Sequence, residues 1–207
     1  MKTINFKFFG TVKAFILIAA LSLVTISCDN QETEGMDGLN PANVSAATNL
    51  KSANSAPKPG DTPIAGIAIN AGFNELVAAL MYVDEELDAG LVDLFLNGKD
   101  QYTVFAPTDA AFKNLYAALE VDGITEVDPE LVLAVLKYHV VEGRRAANSV
   151  VPKNGSRTIT TLLGTTFSVD NMGKITAVGN MATITSANIS ASNGIIHVVD
   201  TVLLPIK

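Results

Sequence analysis

The feature that most constrains the fold is a change of hydrophobic period near residue 138. Before it, apolar residues recur at helical spacing, as in Phe73, Leu76, Val77 and Leu80. After "YHVVEG", they alternate through "RTITTLLGTTFSVD", "KITAV" and "MATITSANI", with turn-forming residues between these runs. Helical period followed by strand period predicts the α+β class, with helices packed on an antiparallel β-sandwich or small barrel.

The stretch "YTVFAPTDAAF" predicts a strand, a corner and a helix in direct succession. Tyr102–Ala106 has the β-branched and aromatic residues of a strand, which Pro107 ends because proline offers no backbone donor. Thr108 is suited to the N-cap, and the negative charge of Asp109 suits the first helical turn. A reactive pair is the alternative interpretation, but the spacing favours a structural role for both residues.

The amino terminus predicts an export signal. Three lysines (Lys2, Lys7 and Lys13) lead into the apolar run "AFILIAALSLVTI", which is shorter than the roughly 20 residues that cross a membrane. The run ends at Cys28, the single cysteine of the chain, and resembles the lipobox of bacterial lipoproteins. The resemblance implies a signal peptide at 1–27 and lipidation of Cys28. The alternative is an ordinary cleavable signal followed by an incidental cysteine.

The composition after Cys28 predicts two further parts. Residues 28–62 are rich in Asn, Ser, Ala, Gly and Pro and lack apolar periodicity, which predicts a flexible tether. Residues 63–207 have the pattern of a single folded domain. Together with a lipid anchor, this order predicts a protein tethered to the bacterial cell envelope, at the outer membrane or the cell surface.

Three stretches of the domain resemble the fasciclin (FAS1) domain, a secreted module. They are "YTVFAPTDAAF", "LKYHVVEG" and "NGIIHVVDTVLLP", and they occur in the family's order and at its spacing. The resemblance covers about residues 64–205. It implies the FAS1 fold, a β-sandwich with helices along one edge, and a role in adhesion or extracellular-matrix interaction rather than catalysis.

The two histidines of the chain are candidates for chemistry. His197 shares a strand face with Ile195 and Val199, which predicts a buried, hydrogen-bonded structural residue. The family resemblance implies that Tyr138 and His139 contribute to integrin-type adhesion, although such a pair between apolar neighbours more often packs in the core. The sequence indicates no metal site, no cofactor and no catalytic residues, because the known hydrolase and phosphate-binding motifs are missing.

The net charge of the chain limits the classes of partner that it can bind. With 14 basic and 21 acidic residues the chain has a net charge of -7, which makes nucleic acid an unsuitable partner. The leading hypothesis is a non-enzymatic, lipid-anchored protein that adheres to an unidentified protein or polysaccharide. The alternative is an envelope module that binds a glycan or a small hydrophobic ligand, and a hydrolase is a third, weaker hypothesis.

Overall fold

Helices fill the first half of the domain, and most of the strands follow them in the chain. The computed structural model describes residues 58–206, so the predicted signal peptide, Cys28 and most of the predicted tether lie outside the described part. The α-helices of this part are α1 (Ile64–Asn70), α2 (Asn74–Leu87), α3 (Leu91–Asn97), α4 (Asp109–Leu119), α5 (Pro129–Tyr138) and α6 (Ala147–Val150), and a 3-10 helix (Ile124–Glu126) lies between α4 and α5. The strands are β1 (Tyr102–Pro107), β2 (Val140–Glu142), β3 (Ser156–Thr160), β4 (Thr166–Asp170), β5 (Lys174–Thr176), β6 (Met181–Ala191) and β7 (Gly194–Val199).

The strands form one seven-stranded sheet in the order β2-β1-β7-β6-β5-β4-β3. The sheet and its helices confirm the predicted α+β class. The sheet is mixed rather than wholly antiparallel, because β1 and β7 run parallel in a register from Tyr102 opposite Gly194 to Pro107 opposite Val199. It is also not closed, so it does not form the small barrel that was the alternative to a sandwich. Alternating apolar residues indicate a strand but carry no information about the direction of its neighbour.

The sheet separates two hydrophobic cores. Strand β6 pairs with β5 through its first residues and with β7 through the rest, and its register shifts twice along the second pairing. One core lies between the helices and the face of β1 that carries Val104, while the other joins Phe105 of β1 to Phe167 of β4. Because β1 and β7 have a core on each face, every residue of both strands is buried.

Some elements were not apparent from the sequence. Helix α1 and the three-residue β2 were not predicted, because short elements carry too few residues to show a period. The polar stretch "YVDEEL" forms the last turns of α2. Its exposed acidic side chains therefore belong to a helix surface.

The folded part begins earlier than composition indicates. Residues 58–62 were assigned to the tether, yet the Gly60 amide donates to Ala191 O at 3.3 Å, and the Ser192 amide donates to Thr62 O at 2.9 Å. The guanidinium of Arg144 donates to Ala191 O at 2.9 Å and to Lys58 O at 3.3 Å, so it links the segment to the end of β6. Burial lowers the pKa of Arg144.

Position 98 requires glycine because the backbone of α3 leaves no space there for a Cβ atom. Helix α3 ends at the Asn97-Gly98 pair, and Gly98 has a φ of -61°. A Cβ atom at this position would lie 2.2 Å from Leu94 O. The helix end therefore selects glycine for space and not for its backbone conformation.

No helix among residues 58–206 has the length and apolar character needed to cross a membrane.

Candidate functional site

The corner between β1 and α4 is built from local hydrogen bonds. Thr108 occupies the N-cap of α4 with an extended backbone, and its Oγ1 accepts from the Ala111 amide at 3.2 Å. Pro107 is the last residue of β1, and the Thr108 amide donates to Val199 O of β7 at 3.2 Å. Both the strand pairing and the helix start therefore meet at Thr108.

Asp109 acts on a different helix from the one that contains it. Its Oδ1 accepts from the Glu75 amide and its Oδ2 accepts from Asn74 Nδ2, both at 3.0 Å. No side chain of α2 caps that helix itself, so Asp109 supplies the missing acceptor at its first turn. A second contact joins the same helices, because Tyr116 Oη donates to Glu75 Oε2 at 3.0 Å. The Thr-Asp pair thus fixes two helices rather than forming a reactive site.

Replacing Thr108 with alanine should lower the free energy of unfolding by about 1 kcal/mol, because the Ala111 amide loses its acceptor. Chemical denaturation of the two proteins measures the change. Thr108→Ser keeps the hydroxyl oxygen and should retain most of the stability. A loss of partner binding at unchanged stability would contradict the structural role.

Tyr138 lies wholly inside the domain. It packs edge-on against Phe167, with ring centroids 5.8 Å apart, and has no exposed surface. Its hydroxyl donates to Thr166 O at 2.9 Å and accepts from the Val178 amide at 3.3 Å. Burial raises the pKa of this hydroxyl. The side chain links the end of α5 to the strand half of the domain and presents nothing to a partner.

His139 is also buried, with 3% of its surface exposed. Its Nε2 accepts from the Leu203 amide at 2.9 Å, so the proton lies on Nδ1, which donates to Val135 O at 2.7 Å. Burial lowers its pKa to about 4. The ring is therefore neutral and fully engaged at neutral pH.

His197 lies on β7 and carries its proton on the other ring nitrogen. Its Nδ1 accepts from the Asn188 amide at 3.3 Å, and its Nε2 carries the proton and donates to Arg145 O at 2.9 Å. No surface of this residue is exposed, and burial lowers its pKa to about 4. The structure thus brings Tyr138, His139 and His197 into the interior, where each holds backbone groups of distant elements together.

The described part of the chain offers no candidate metal centre. No group of three or more His, Cys, Asp or Glu side chains among residues 58–206 is arranged to hold an ion. The carboxylates of Asp109 and Asp128 accept hydrogen bonds from backbone amides at helix starts.

An apolar cavity of about 250 Å³ lies among the helices and the carboxyl-terminal segment. Its walls come from α2, α4, α5, the 3-10 helix and residues 202–206. They consist entirely of apolar residues: Ala79, Phe112, Leu115, Leu119, Ile124, Val127, Leu131, Val132, Val135, Leu136, Val202, Leu204 and Ile206. Two of them, Leu119 and Ile206, are 47% and 52% exposed, so the cavity reaches the surface.

The surroundings of the cavity are acidic. The link between α4 and α5 carries Glu120, Asp122, Glu126 and Asp128, with Glu130 in the first turn of α5, and contains no Lys or Arg. All five side chains are exposed. This site was not predicted from the sequence, which shows the apolar residues of α4 only as one helical stripe. The sequence feature that could have indicated the site is the group of leucines in α4 and α5 next to several acidic residues.

The fold and its sequence motifs define an α+β domain in which the buried side chains of Tyr138, His139 and His197 hydrogen-bond to backbone groups of the domain. The fasciclin domain family matches residues 71–205. The chain therefore belongs to the fasciclin domain family, as its three motifs predicted.

Several proteins are similar to this chain. Protein sll1483 of Synechocystis is 38% identical over 138 residues, which are 66% of this chain and 69% of that protein. The cell surface glycolipoprotein MPB83 of Mycobacterium bovis is 33% identical over 143 residues, which are 69% of this chain and 60% of the relative. Among solved structures, a FAS1 domain pair from the insect cell adhesion molecule Fasciclin I matches with a TM-score of 0.45 and 18% identity, over 63% of this chain and 45% of that one.

Proposed function

We propose that this protein is a non-enzymatic, lipid-anchored component of the bacterial cell envelope, and that its fasciclin domain contacts a protein or polysaccharide partner in adhesion. The observation that carries the proposal is the similarity of 69% of this chain to a relative named as a cell surface glycolipoprotein. The lipobox-like segment before Cys28 supplies the anchor and the tether supplies reach.

The buried state of the Tyr-His pair limits how the domain makes contact. Because Tyr138 and His139 spend their polar atoms on backbone partners, direct recognition by either side chain would require the core to open. The contact surface of an adhesive domain is therefore formed by exposed residues, and the pair supports that surface from below.

The adhesion proposal is tested in the producing bacterium. Deletion of the gene should reduce attachment and biofilm formation, and the wild-type gene should restore both. Cys28→Ser should release the protein from the membrane and fail to restore attachment, while mass spectrometry should find acyl groups on Cys28 of the wild type. Unchanged attachment in the deletion strain, or an unmodified Cys28 thiol, would overturn the respective part of the proposal.

A second function, the binding of a small hydrophobic ligand, is favoured by one observation. The cavity among α2, α4, α5 and residues 202–206 is lined by apolar residues and is open to solvent, which suits a small-molecule site. Its walls contain no hydrogen-bonding side chain, so they favour a hydrophobic ligand over a glycan.

A further inference from the structure

The cavity limits the size of its ligand. The cavity measures about 250 Å³ and is open to solvent. Its walls have no polar side chains and so offer water few partners, and an apolar cavity of about 150 Å³ is large enough for benzene. By the same ratio, this cavity holds an apolar chain or ring of roughly ten carbon atoms.

The open end places the rest of the ligand at the surface. Leu119 at the end of α4 and Ile206 in the carboxyl-terminal segment line the cavity and are about half exposed. A molecule with its apolar part among these walls keeps its other end in water. Such a molecule is an amphiphile, and the charge around the opening would select its head group.

The opening favours a positive charge. The link between α4 and α5 and the first turn of α5 carry five exposed carboxylates: Glu120, Asp122, Glu126, Asp128 and Glu130. Two more, Glu85 and Glu86, lie in the last turns of α2, and α2 contacts the 3-10 helix. Against them, α4 and α5 contribute one lysine each, Lys113 and Lys137. Clefts with charge of one sign raise the local concentration of ligands of the opposite sign.

We propose that this cavity binds the apolar chain of a single-chain amphiphile with a cationic head group, with the carboxylates of the α4–α5 link near the head. The inference deepens, and rests on, the second function proposed above. It does not depend on adhesion, and it names the ligand class that the acidic surroundings select.

The experiment compares three probes with the same ten-carbon chain: decyltrimethylammonium and decanoate, each below its micelle concentration, and decanol below its solubility limit. The protein is the chain from residue 28 onward with Cys28→Ser, so that no attached lipid competes. Methyl NMR spectra should show saturable shifts confined to the cavity leucines and valines. At low salt the cation should bind about tenfold more tightly than the anion, with the alcohol between them, and 0.5 M NaCl should reduce the ratio to about threefold.

Three variants locate the binding. Leu115→Trp should fill the cavity and weaken all three probes at least tenfold, while Met172→Trp introduces the same side chain at a turn that is 75% exposed and should change nothing. Leu119→Lys puts a positive charge at the half-exposed rim without disturbing the core. It should abolish or reverse the preference for the cation, which keeps the inference testable if Leu115→Trp does not fold.

The possible results distinguish the proposed cationic head group from the more general proposal of a hydrophobic ligand site. Equal binding of the three probes, or tighter binding of decanoate, overturns the cationic head group and leaves a hydrophobic ligand site in place. Cavity methyl groups that do not shift with any probe overturn both. Binding that Leu119→Lys does not alter shows that the head lies elsewhere and also overturns the inference.

Discussion

Lowering the pH from 7 to 4 should reduce the free energy of unfolding by about 3 kcal/mol for each of the two buried histidines. The pKa of both imidazoles is lowered from 6.5 to about 4 in the folded protein, because burial disfavours the charged ring. A tenfold difference in proton affinity between the folded and unfolded states corresponds to about 1.4 kcal/mol. Both rings are nine-tenths or more buried, so solvent screens this effect little.

The sign follows from proton binding in the two states. Above pH 6.5 both states are neutral and the full stability is present. Between pH 6.5 and about 4 the unfolded chain binds a proton at each imidazole and the folded protein does not, so stability falls as the pH falls. About 2 kcal/mol per histidine should be lost by pH 5, before most carboxylates titrate. Below about pH 4 the histidines contribute no further change.

Urea denaturation at a series of pH values measures this loss, and NMR titration of the two Hε1 signals measures each pKa in the folded protein. His139→Gln should remove about half of the pH dependence between 6.5 and 5. An imidazole that titrates near pH 6.5 in the folded protein, or a free energy of unfolding that is constant from pH 7 to 5, would show that the rings are not sealed from water.

Asn193→Ala should lower the free energy of unfolding by about 3 kcal/mol. Asn193 is 4% exposed, and its Oδ1 accepts from the Ile64 amide at 2.8 Å while its Nδ2 donates to Phe95 O at 3.0 Å. One side chain thus joins the start of α1, the last turns of α3 and the turn before β7. Alanine would leave a buried amide and a buried carbonyl without partners, and each such group costs about 1 to 3 kcal/mol.

Asn180→Ala provides the matched control. Asn180 makes the same pair of bonds, with Oδ1 accepting from the Leu204 amide at 3.1 Å and Nδ2 donating to Val202 O at 2.7 Å. It is only partly buried, so water can replace the lost groups, and its removal should cost about 1 kcal/mol. Equal losses in the two variants, measured by urea denaturation, would indicate that burial of the Asn193 partners does not set the cost.

The sequence was most informative where the interaction joins near neighbours in the chain. Thr108 and Asp128 each cap a helix that begins at the next residue, and their hydroxyl or carboxylate reaches an amide three residues ahead. Such contacts need only local geometry. The contacts that the sequence did not predict join residues dozens of positions apart, as the contact of Asp109 with Glu75 does.

The candidate ligand site shows the same division. The apolar residues of α4 and α5 are visible in the sequence as two helical stripes. Whether two stripes close on each other or leave a cavity depends on helix separation and on where the carboxyl-terminal segment lies. Neither the helix separation nor the position of that segment can be inferred from neighbouring residues in the sequence. The sequence around Leu119, for example, does not indicate that this side chain is 47% exposed.

By itself, the sequence determined the α+β class, the strand–corner–helix unit at Thr108 and membership of the fasciclin family, because period, caps and motifs are properties of consecutive residues. Only the tertiary structure decided that β1 and β7 run parallel, that Tyr138 and His139 are sealed in the interior, and that an apolar cavity opens beside acidic side chains. These features arise from packing between distant segments, and a burial pattern in one segment does not specify which partner covers it.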